Sequence, residues 1–408
     1  MRLDSEFVRR RFPALGGGWI LMDNAGGTQV LGTVADRIRD YLLHTNVQLG
    51  ATYAVSQEAE ARVRAGRVAA AALMNAAGPE NVVLGPSTTA LLRRLAEAVA
   101  GTLGENDEII VTNCDHEVNI GPWVRLAATG PRLKVWKVRA ETHELELEDL
   151  DRLMTERTRL VCFTHVSNIF GTLNPLRDIV RHVHARGARV CVDGVACAPH
   201  RRVDVTGWDV DYYVLSFYKL YGPHQAALYV RPGLEEDLAN LNHFFLAGAF
   251  PARLEPGSVN YELVAGLPAI VEYFEELAAH AGAGAGAAPG EKLAAAFEAI
   301  AAHEATLQRR LLAFLATRPR VRVIGRTSAD PAARVPTVSF VREGTDSATI
   351  PARLDAHRIG IRYGHFYAYR LIDDLGLAAQ NGVVRVSLVH YNTLEEVDAL
   401  IRGLEEVL

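Results

Sequence analysis

Cysteine is scarce in this chain of 408 residues, which has four: Cys114, Cys162, Cys191 and Cys197. Their spacing shows no pairing, and three of them fall in or beside predicted strands. This usage excludes a disulfide framework and is typical of small buried hydrophobic residues in a cytosolic protein. The cysteines also offer no cluster that resembles a metal site, so we expect no bound metal.

Long apolar runs and strong charge are missing as well. No stretch approaches the roughly 20 apolar residues that a transmembrane helix needs, so we expect no membrane span. A net charge of −5 and the lack of a basic cluster argue against a nucleic-acid partner. The charged start of the chain leads into no apolar segment, so we expect no signal peptide and a cytoplasmic location.

Strand-like and helix-like segments alternate through the first two thirds of the chain. We predict strands at 81–84, 108–112, 160–164, 190–192, 212–215 and 226–230, and helices at 89–100 and 176–186. This alternation is typical of an α/β fold with a mostly parallel sheet covered by helices on both faces.

The last third of the chain has a different pattern. A long helix at 262–279 and a flexible, low-complexity loop at 281–290 are predicted to precede a helix at 292–316. Strands at 321–324, 335–341 and 383–388, with a helix at 347–357, then indicate a small α+β domain. The chain length agrees with a large domain and a smaller one.

Lys219 is the most informative residue, in Val214-Leu-Ser-Phe-Tyr-Lys-Leu-Tyr-Gly-Pro223. It follows a short buried strand and has aromatic neighbours, so its ammonium form is poorly hydrated. Its amine is then nucleophilic near neutral pH, as a lysine that forms a Schiff base with pyridoxal phosphate (PLP) requires. Taken alone, a loop lysine is more often a solvent-exposed side chain.

Asp193 supplies matching chemistry upstream of that lysine. It ends a predicted strand, and ligands of open α/β sheets bind at that edge. A carboxylate there can pair with the protonated pyridine nitrogen of PLP and keep the ring an electron sink. An isolated Asp-Gly after a strand is usually a turn, so the argument depends on the pair with Lys219.

Several further motifs occur in an order that makes the chain recognisable. They are Met22-Asp-Asn-Ala-Gly-Gly-Thr-Gln-Val30, His116-Glu-Val-Asn-Ile-Gly-Pro-Trp123, His165-Val-Ser-Asn-Ile-Phe-Gly-Thr172, Arg253-Leu-Glu-Pro-Gly-Ser258 and Val384-Arg-Val-Ser387. Over nearly its whole length the chain resembles the class V aminotransferase and cysteine desulfurase group of fold-type-I PLP enzymes.

The resemblance implies a domain organisation and a homodimer with shared active sites. It divides the chain into an N-terminal segment (1–20), a large PLP-binding domain with a seven-stranded, mostly parallel sheet (21–290) and a small C-terminal domain (291–408). The N-terminal segment is expected to pack with the small domain, and the site to lie between the domains.

The resemblance also implies roles for individual residues around PLP. Thr88 and Thr89 match the phosphate-binding pair, Ser216 and Tyr218 are expected to reach the same phosphate, and Ser258 matches a residue that contacts it from the partner subunit.

His116 is expected to stack on the pyridine ring and shuttle protons, and Asn168 to bind the phenolic oxygen. Ala196 stands where relatives usually have another cofactor contact. Each feature has an ordinary alternative: a helix N-cap at 87–89 or a helix-capping histidine.

Arg385 is the predicted substrate handle, because a guanidinium binds an α-carboxylate in a bidentate fork. An edge-strand arginine in solvent is the alternative. Asn24 and Tyr367 complete the predicted substrate contacts. Tyr367 stands where the desulfurases have the cysteine that takes up sulfur, and a phenol cannot carry sulfur as a thiolate does.

The expected reaction is therefore PLP chemistry at the α-carbon of an amino acid with Lys219 as base. Elimination or C–S lyase chemistry on a β-substituted amino acid is favoured. Transamination, epimerisation, desulfuration through another thiol and a non-catalytic binding role remain open.

Overall fold

The protein, described by a computed structural model over residues 3–284 and 286–408, is built from two main sheets and their covering helices. The strands are β1 (Ile20–Leu21), β2 (Val82–Gly85), β3 (Glu108–Thr112), β4 (Arg132–Trp136), β5 (Thr158–Thr164), β6 (Arg189–Asp193), β7 (Tyr212–Ser216), β8 (Ala226–Val230), β9 (Val321–Ile324), β10 (Thr337–Arg342), β11 (Ile359–Gly360), β12 (Arg362–Gly364) and β13 (Val383–Ser387).

The helices are α1 (Ser5–Arg9), α2 (Gly32–His44), α3 (Ala54–Met74), α4 (Thr88–Val99), α5 (Gly121–Ala127), α6 (Leu147–Leu153), α7 (Leu176–His184), α8 (Tyr261–Gly266), α9 (Pro268–His280), α10 (Pro289–Ala316), α11 (Thr349–Leu354), α12 (Tyr369–Asp374) and α13 (Leu394–Glu405). Within the described residues, none of them combines the length and apolar content that crossing a bilayer requires.

The larger sheet has seven strands in the order β2-β8-β7-β6-β5-β3-β4. Strands β3 to β7 pair in parallel, whereas β8 is antiparallel to both β2 and β7. Successive side chains point to opposite faces of a strand, so one sheet contributes to two cores. In β5, for example, Val161 and Phe163 belong to one core and Leu160 and Cys162 to the other. The predicted α/β fold with a mostly parallel sheet is confirmed.

The smaller sheet has the order β12-β13-β10-β9 and is antiparallel throughout. Its core is completed by α11, α13 and the second half of α10. Strand β1 pairs in parallel with β11, and Arg9 in α1 donates to the carbonyl of Tyr391. The first residues also contact the large-sheet side, because Arg11 pairs with Glu276 and Phe7 stacks on His280. Met1 and Arg2, part of the predicted N-terminal segment, lie outside the described residues.

One predicted helix is interrupted and another was too long. The segment predicted at 262–279 forms α8 and α9, which are separated at Leu267, because Pro268 lacks the N–H that would continue the hydrogen bonds of α8. The helix at 347–357 is α11 followed by a 3-10 turn, which ends at Arg358 in the left-handed region (φ 54°).

The loop predicted at 281–290 is shorter than expected, because α10 already begins at Pro289. The Glu291 side chain accepts from the backbone N–H of Ala288 there. Ala285, in the middle of that loop, lies outside the described residues.

Candidate functional site

The carboxyl ends of β3, β5, β6 and β7 bring the predicted cofactor residues to one edge of the large sheet. A cavity at this edge is lined by side chains from each of those strand ends and from the start of α4 (Ser87, Thr88, Thr89, His116, Val118, Thr164, Val166, Asn168, Asp193, Val195, Ala196, Tyr218 and Lys219). Parallel strands end on the same side of a sheet, so residues far apart in sequence meet there.

Lys219 ends a 3-10 turn that follows β7 directly. The turn is fixed by the N–H of Gly222, which donates to the carbonyl of Phe217 over 2.8 Å. Burial and, to a smaller extent, the charge of the nearby Arg385 lower the pKa of Lys219 to about 8, against the opposing effects of Asp193 and Asp23. At pH 7 about a tenth of this lysine is therefore a free amine.

Asp193 ends β6, where its Oδ1 accepts from the N–H of Val195 over 2.9 Å. Burial raises the pKa of this carboxyl, and the Val195 hydrogen bond and Lys219 oppose that effect. Gly194 is required by close packing, since a Cβ there would lie about 2.0 Å from the ring of Tyr213. The Tyr213 hydroxyl in turn bonds Nδ1 of His165 over 3.0 Å, which fixes the ring beneath the Asp-Gly step.

His116 begins a 3-10 turn after β3, with its Nδ1 accepting from the N–H of Val118 over 3.1 Å. Burial, together with the charges of Lys219 and Arg385, lowers the pKa of His116 to about 3. The imidazole is therefore neutral at physiological pH. One face of the ring stacks on Tyr367, with centroids 5.0 Å apart and planes inclined by 25°.

The start of α4 presents Thr88 and Thr89 to the cavity. Ser87 is the N-cap, and its hydroxyl accepts from the N–H of Ala90 over 3.2 Å. The ordinary capping role thus falls on Ser87, which leaves both threonines at the first turn. The N–H groups of that turn have no partner within the helix, and the helix dipole favours an anion there.

PLP fits this set of residues. The Ser216 hydroxyl and Asn168 Oδ1 are buried, and neither has a hydrogen-bond partner within the described residues. Buried polar atoms are nearly always paired, so the unpaired Asn168 Oδ1, in the same cavity as Lys219 and the start of α4, is free to bond a ligand. Ser216, at the end of β7, is not among the residues that line the cavity. Tyr218 also lines the cavity, its ring stacked on His224 at 4.8 Å, and Ala196 lies in the wall.

Arg385 lies next to this cavity but is already engaged. Its Nη1 donates to the carbonyl of Asn168 over 3.2 Å, and its Nη2 donates to Asp23 Oδ1 over 3.0 Å. The guanidinium carbon lies 3.7 Å from the centroid of the Phe366 ring. With 2% of its side chain exposed, Arg385 is not an edge-strand arginine in solvent. Burial lowers the pKa of Arg385 to about 10, so it stays charged near neutral pH.

Asn24 is bonded within the chain at both polar atoms of its side chain. Its Nδ2 donates to the carbonyls of Leu21 and Ser387 over 3.1 and 2.9 Å, and it also contacts Asn392 Oδ1. Its Oδ1 accepts from the hydroxyl of Tyr391. These bonds use the polar atoms of the side chain, so Asn24 joins the chain start to β13. Its predicted contact with the substrate stays a prediction.

Tyr367 and Phe366 form a turn against the site, and both residues have left-handed backbone angles (φ 60° and 48°). The turn is held by the Asn168 amide, which donates to the carbonyl of Phe366, and by the N–H of Glu117, which donates to that of Tyr367. Phe366 is buried, but Tyr367 is 64% exposed, and Tyr363 and Tyr369 are exposed too. These tyrosines do not close the site of a single chain against water.

Ser258 is exposed and does not line the cavity of its own chain. Its predicted contact with the phosphate of a partner subunit stays a prediction.

Two acidic residues near the site were missed from the sequence. Asp23, adjacent to the quoted Asn24, is the partner of Arg385. Asp115, adjacent to His116, is fully buried, and burial raises its pKa to about 7. It accepts from the side chains of Thr112 and Asn119 and from the N–H of Thr164. Asp23 lies inside the motif Met22–Val30, and Asp115 immediately precedes the motif that begins at His116.

Comparison with known proteins shows the family to which the chain belongs. The family described as "Aminotransferase class-V" matches residues 20–400. The chain is 44% identical to "Aminotransferase-like protein FGM3" of Gibberella zeae, over 99% of this chain and 98% of the relative. It is 34% identical to "Cysteine desulfurase-like protein ustD" of Aspergillus flavus, over 100% of this chain and 91% of the relative.

Among solved structures, the cysteine desulfurase CsdA of Escherichia coli superposes with a TM-score of 0.85 at 26% identity. The superposition covers 100% of this chain and 98% of that one. Enzymes of this group depend on PLP, and the chain shares their fold. The chain belongs to the class V aminotransferase family, in its cysteine desulfurase-like group, and its cofactor is PLP.

Proposed function

We propose that the protein is a PLP-dependent lyase that removes a β-substituent from an amino acid, with Lys219 as the base at the α-carbon. The observation that carries this proposal is the combination of a buried, partly neutral lysine amine with a cavity that no cysteine lines. When bound, PLP supplies an electron sink for the electron pair left at the substrate α-carbon.

Each residue of the cavity has a separate task in this proposal. Lys219 would hold PLP covalently and, once the substrate amine has replaced it, take the α-proton. Asp193 would pair with the pyridine nitrogen, and the neutral His116 would lie on the ring face. Thr88, Thr89, Ser216 and Tyr218 would hold the phosphate, with Asn168 on the phenolic oxygen.

Arg385 would bind the substrate carboxylate and so orient the α-carbon. Lys219 would remove the α-proton, and the β-substituent would then leave with its bonding electrons. The product would be an enamine, which water converts to a keto acid and ammonia.

Desulfuration through another thiol is disfavoured, because all four cysteines are buried. Burial raises the pKa of Cys197 to about 12 and those of Cys114 and Cys162 above their ordinary values. The thiolate form that sulfur transfer requires is therefore rare at these positions.

The test is a product screen of the holoenzyme with β-substituted amino acids. The proposal expects the free β-substituent, a keto acid and ammonia in equal amounts, with no keto-acid acceptor needed. Amino transfer that requires an acceptor, or an inverted α-carbon with no other product, would replace elimination by transamination or epimerisation. Persulfide on one of the four cysteines after incubation with L-cysteine would establish a desulfurase, and mass spectrometry would locate it.

The proposal includes a homodimer with shared active sites. The exposed apolar side chains Val30, Leu42 and Leu43 lie around one groove near Tyr218, and such patches mark protein contacts. Light scattering should give twice the chain mass. Ser258→Ala should then weaken PLP retention in the dimer; a monomeric holoenzyme would contradict both expectations.

A further inference from the structure

The partner of Arg385 is the least expected feature of the site. Asp23 and a substrate carboxylate are the same chemical group, and Asp23 already contacts the guanidinium that is assigned to the substrate. If both carboxylates shared this arginine, the affinity for the substrate would be lower. Asp23 avoids this loss if it moves away when the substrate binds.

The hydrogen bonds of Arg385 show that the resident contact is incomplete. Asp23 is bonded by Nη2, whereas Nε is buried and has no hydrogen-bond partner in the part of the chain that the structure describes. A free carboxylate can take two donors of a guanidinium in parallel. An incoming carboxylate that uses Nη2 and Nε therefore makes one more charge-assisted bond than Asp23 does.

A second arginine, Arg362, also lies within reach of Asp23. The other oxygen of Asp23, Oδ2, lies 3.4 Å from Nη1 of Arg362, and the Arg362 side chain is 56% exposed. The Asp23 side chain itself is 26% exposed, so it can turn without breaking a packed core. Phe366 lies beside both arginines, with the Arg362 guanidinium 5.5 Å from its ring centroid.

We propose that Asp23 is a resident competitor for the carboxylate site of Arg385. In the free enzyme it neutralises a buried guanidinium that would otherwise stand without a counter-ion. When a substrate carboxylate binds, Asp23 passes to Arg362, which holds its charge near the mouth of the site. This inference rests on the proposed role of Arg385 and adds a residue that sets how strongly carboxylates bind.

Competition predicts opposite effects for the two neighbours of Arg385. Asp23→Asn removes the competitor and should tighten carboxylate binding. Arg362→Gln removes the alternative partner, so Asp23 stays on Arg385 and carboxylate binding should weaken. If Arg385 is free about a tenth of the time, apparent affinity is about tenfold below its intrinsic value, and Asp23→Asn recovers that factor.

The experiment measures binding of propionate to the holoenzyme by calorimetry, with propionamide as the neutral probe of the same shape. Asp23→Asn should lower the dissociation constant of propionate about tenfold and leave propionamide unchanged. The matched control is Glu117→Gln, which removes a different acidic charge near His116, paired with Arg370 over 3.0 Å. Equal tightening in the control would reduce the effect to a general change in charge and overturn the competition.

A double-mutant cycle tests whether Asp23 moves from Arg385 to Arg362 when a carboxylate binds. Arg362→Gln should weaken propionate binding severalfold in the wild-type background and have little effect in the Asp23→Asn background, because Arg362 acts through Asp23. The same weakening in both backgrounds would mean that Arg362 contacts the ligand itself, and the proposed movement of Asp23 would be wrong. The test of Arg362 does not rely on the Asp23→Asn variant alone. Arg362 is exposed, so we expect its replacement to leave the fold intact.

Arg385→Ala separates this inference from the proposed function. If propionate binding persists at wild-type strength in Arg385→Ala, the carboxylate site lies elsewhere and the proposed role of Arg385 fails. If Arg385→Ala abolishes binding but Asp23→Asn leaves it equal or weaker, the role of Arg385 stands and the competitor is wrong.

Discussion

Two clusters of buried polar side chains lie close together in this protein, and they differ in how completely they are paired. Asn24 bonds the side chains of Tyr391 and Asn392 and the carbonyl of Ser387, and the Ser387 hydroxyl accepts from the N–H of Ala25. Around Lys219, by contrast, the Ser216 hydroxyl and Asn168 Oδ1 have no partner within the described residues.

The difference teaches which buried polar groups serve the fold and which are kept for a ligand. In a paired group, the hydrogen bonds of the folded chain offset the free energy of desolvation. In an unpaired group, that free energy destabilises the fold until a ligand binds. We call the first set the Asn24 cluster and the second the Lys219 cavity. The following predictions test that contrast, from the largest expected effect to the smallest.

Lys219→Ala should abolish covalent cofactor binding. Borohydride reduction of the wild-type holoenzyme should fix PLP to the peptide that contains Lys219, and mass spectrometry should find no such adduct in the variant. Lys292→Ala, in α10, is the control and should keep the adduct. An adduct of undiminished yield on another lysine of the Lys219→Ala protein would show that the lysine is misassigned.

Asp193→Asn should keep PLP bound but slow the reaction by about 10² or more, the size of effect seen when one electrostatic stabiliser of a transition state is removed. An amide cannot stabilise the charge on the pyridine nitrogen as a carboxylate does. Turnover and the cofactor absorbance should be measured together. Asp178→Asn, which touches an ion pair on the exposed face of α7, should be neutral. Normal turnover in Asp193→Asn would assign the nitrogen another partner.

Asn24→Ala should behave in the opposite way to a change in the Lys219 cavity. It removes the acceptor of the Tyr391 hydroxyl and the donor to Asn392 Oδ1 and to the carbonyls of Leu21 and Ser387, so the free energy of unfolding should fall by about 1–3 kcal/mol in a urea titration. The yield of the borohydride adduct on Lys219 should stay the same. Asn106→Ala, at an exposed position, should change stability by less than about 0.5 kcal/mol. A stable Asn24→Ala protein that has lost PLP would place Asn24 in the site after all.

The rate at which the apoprotein captures PLP should depend on pH through Lys219. Only the neutral amine attacks, and burial lowers the pKa of this lysine from 10.5 to about 8. The second-order rate constant should therefore rise about tenfold per pH unit below about 8 and level off above it. Stopped-flow absorbance measures this profile. A rise that continues to pH 10 would mean that burial does not lower the pKa.

The lowered pKa of Lys219 also makes the free energy of unfolding of the apoprotein depend on pH. Between pH 8 and 10.5 the unfolded apoprotein binds more protons at this lysine than the folded one. The contribution of Lys219 to the free energy of unfolding therefore increases with pH across that window and is constant on either side.

Local sequence determined the framework and the chemistry-bearing strand ends. Strands β3, β8 and β9 begin and end where they were predicted, because short apolar runs between turn signals specify buried strands. Lys219, Asp193, His116, Asn168, Thr88, Thr89 and Tyr218 were named from residue type and motif, and they line one cavity. Their individual roles remain predictions.

Only the tertiary structure decided which polar side chains are satisfied. Asn24 and Asp23 are neighbours in sequence, yet one is locked into β13 and the other faces two arginines more than 330 residues away. The packing of Gly194 on Tyr213 was equally invisible, because it depends on the adjacent strand β7. A motif specifies which groups a chain carries, but the partners of a buried polar group come from segments that meet only in the fold.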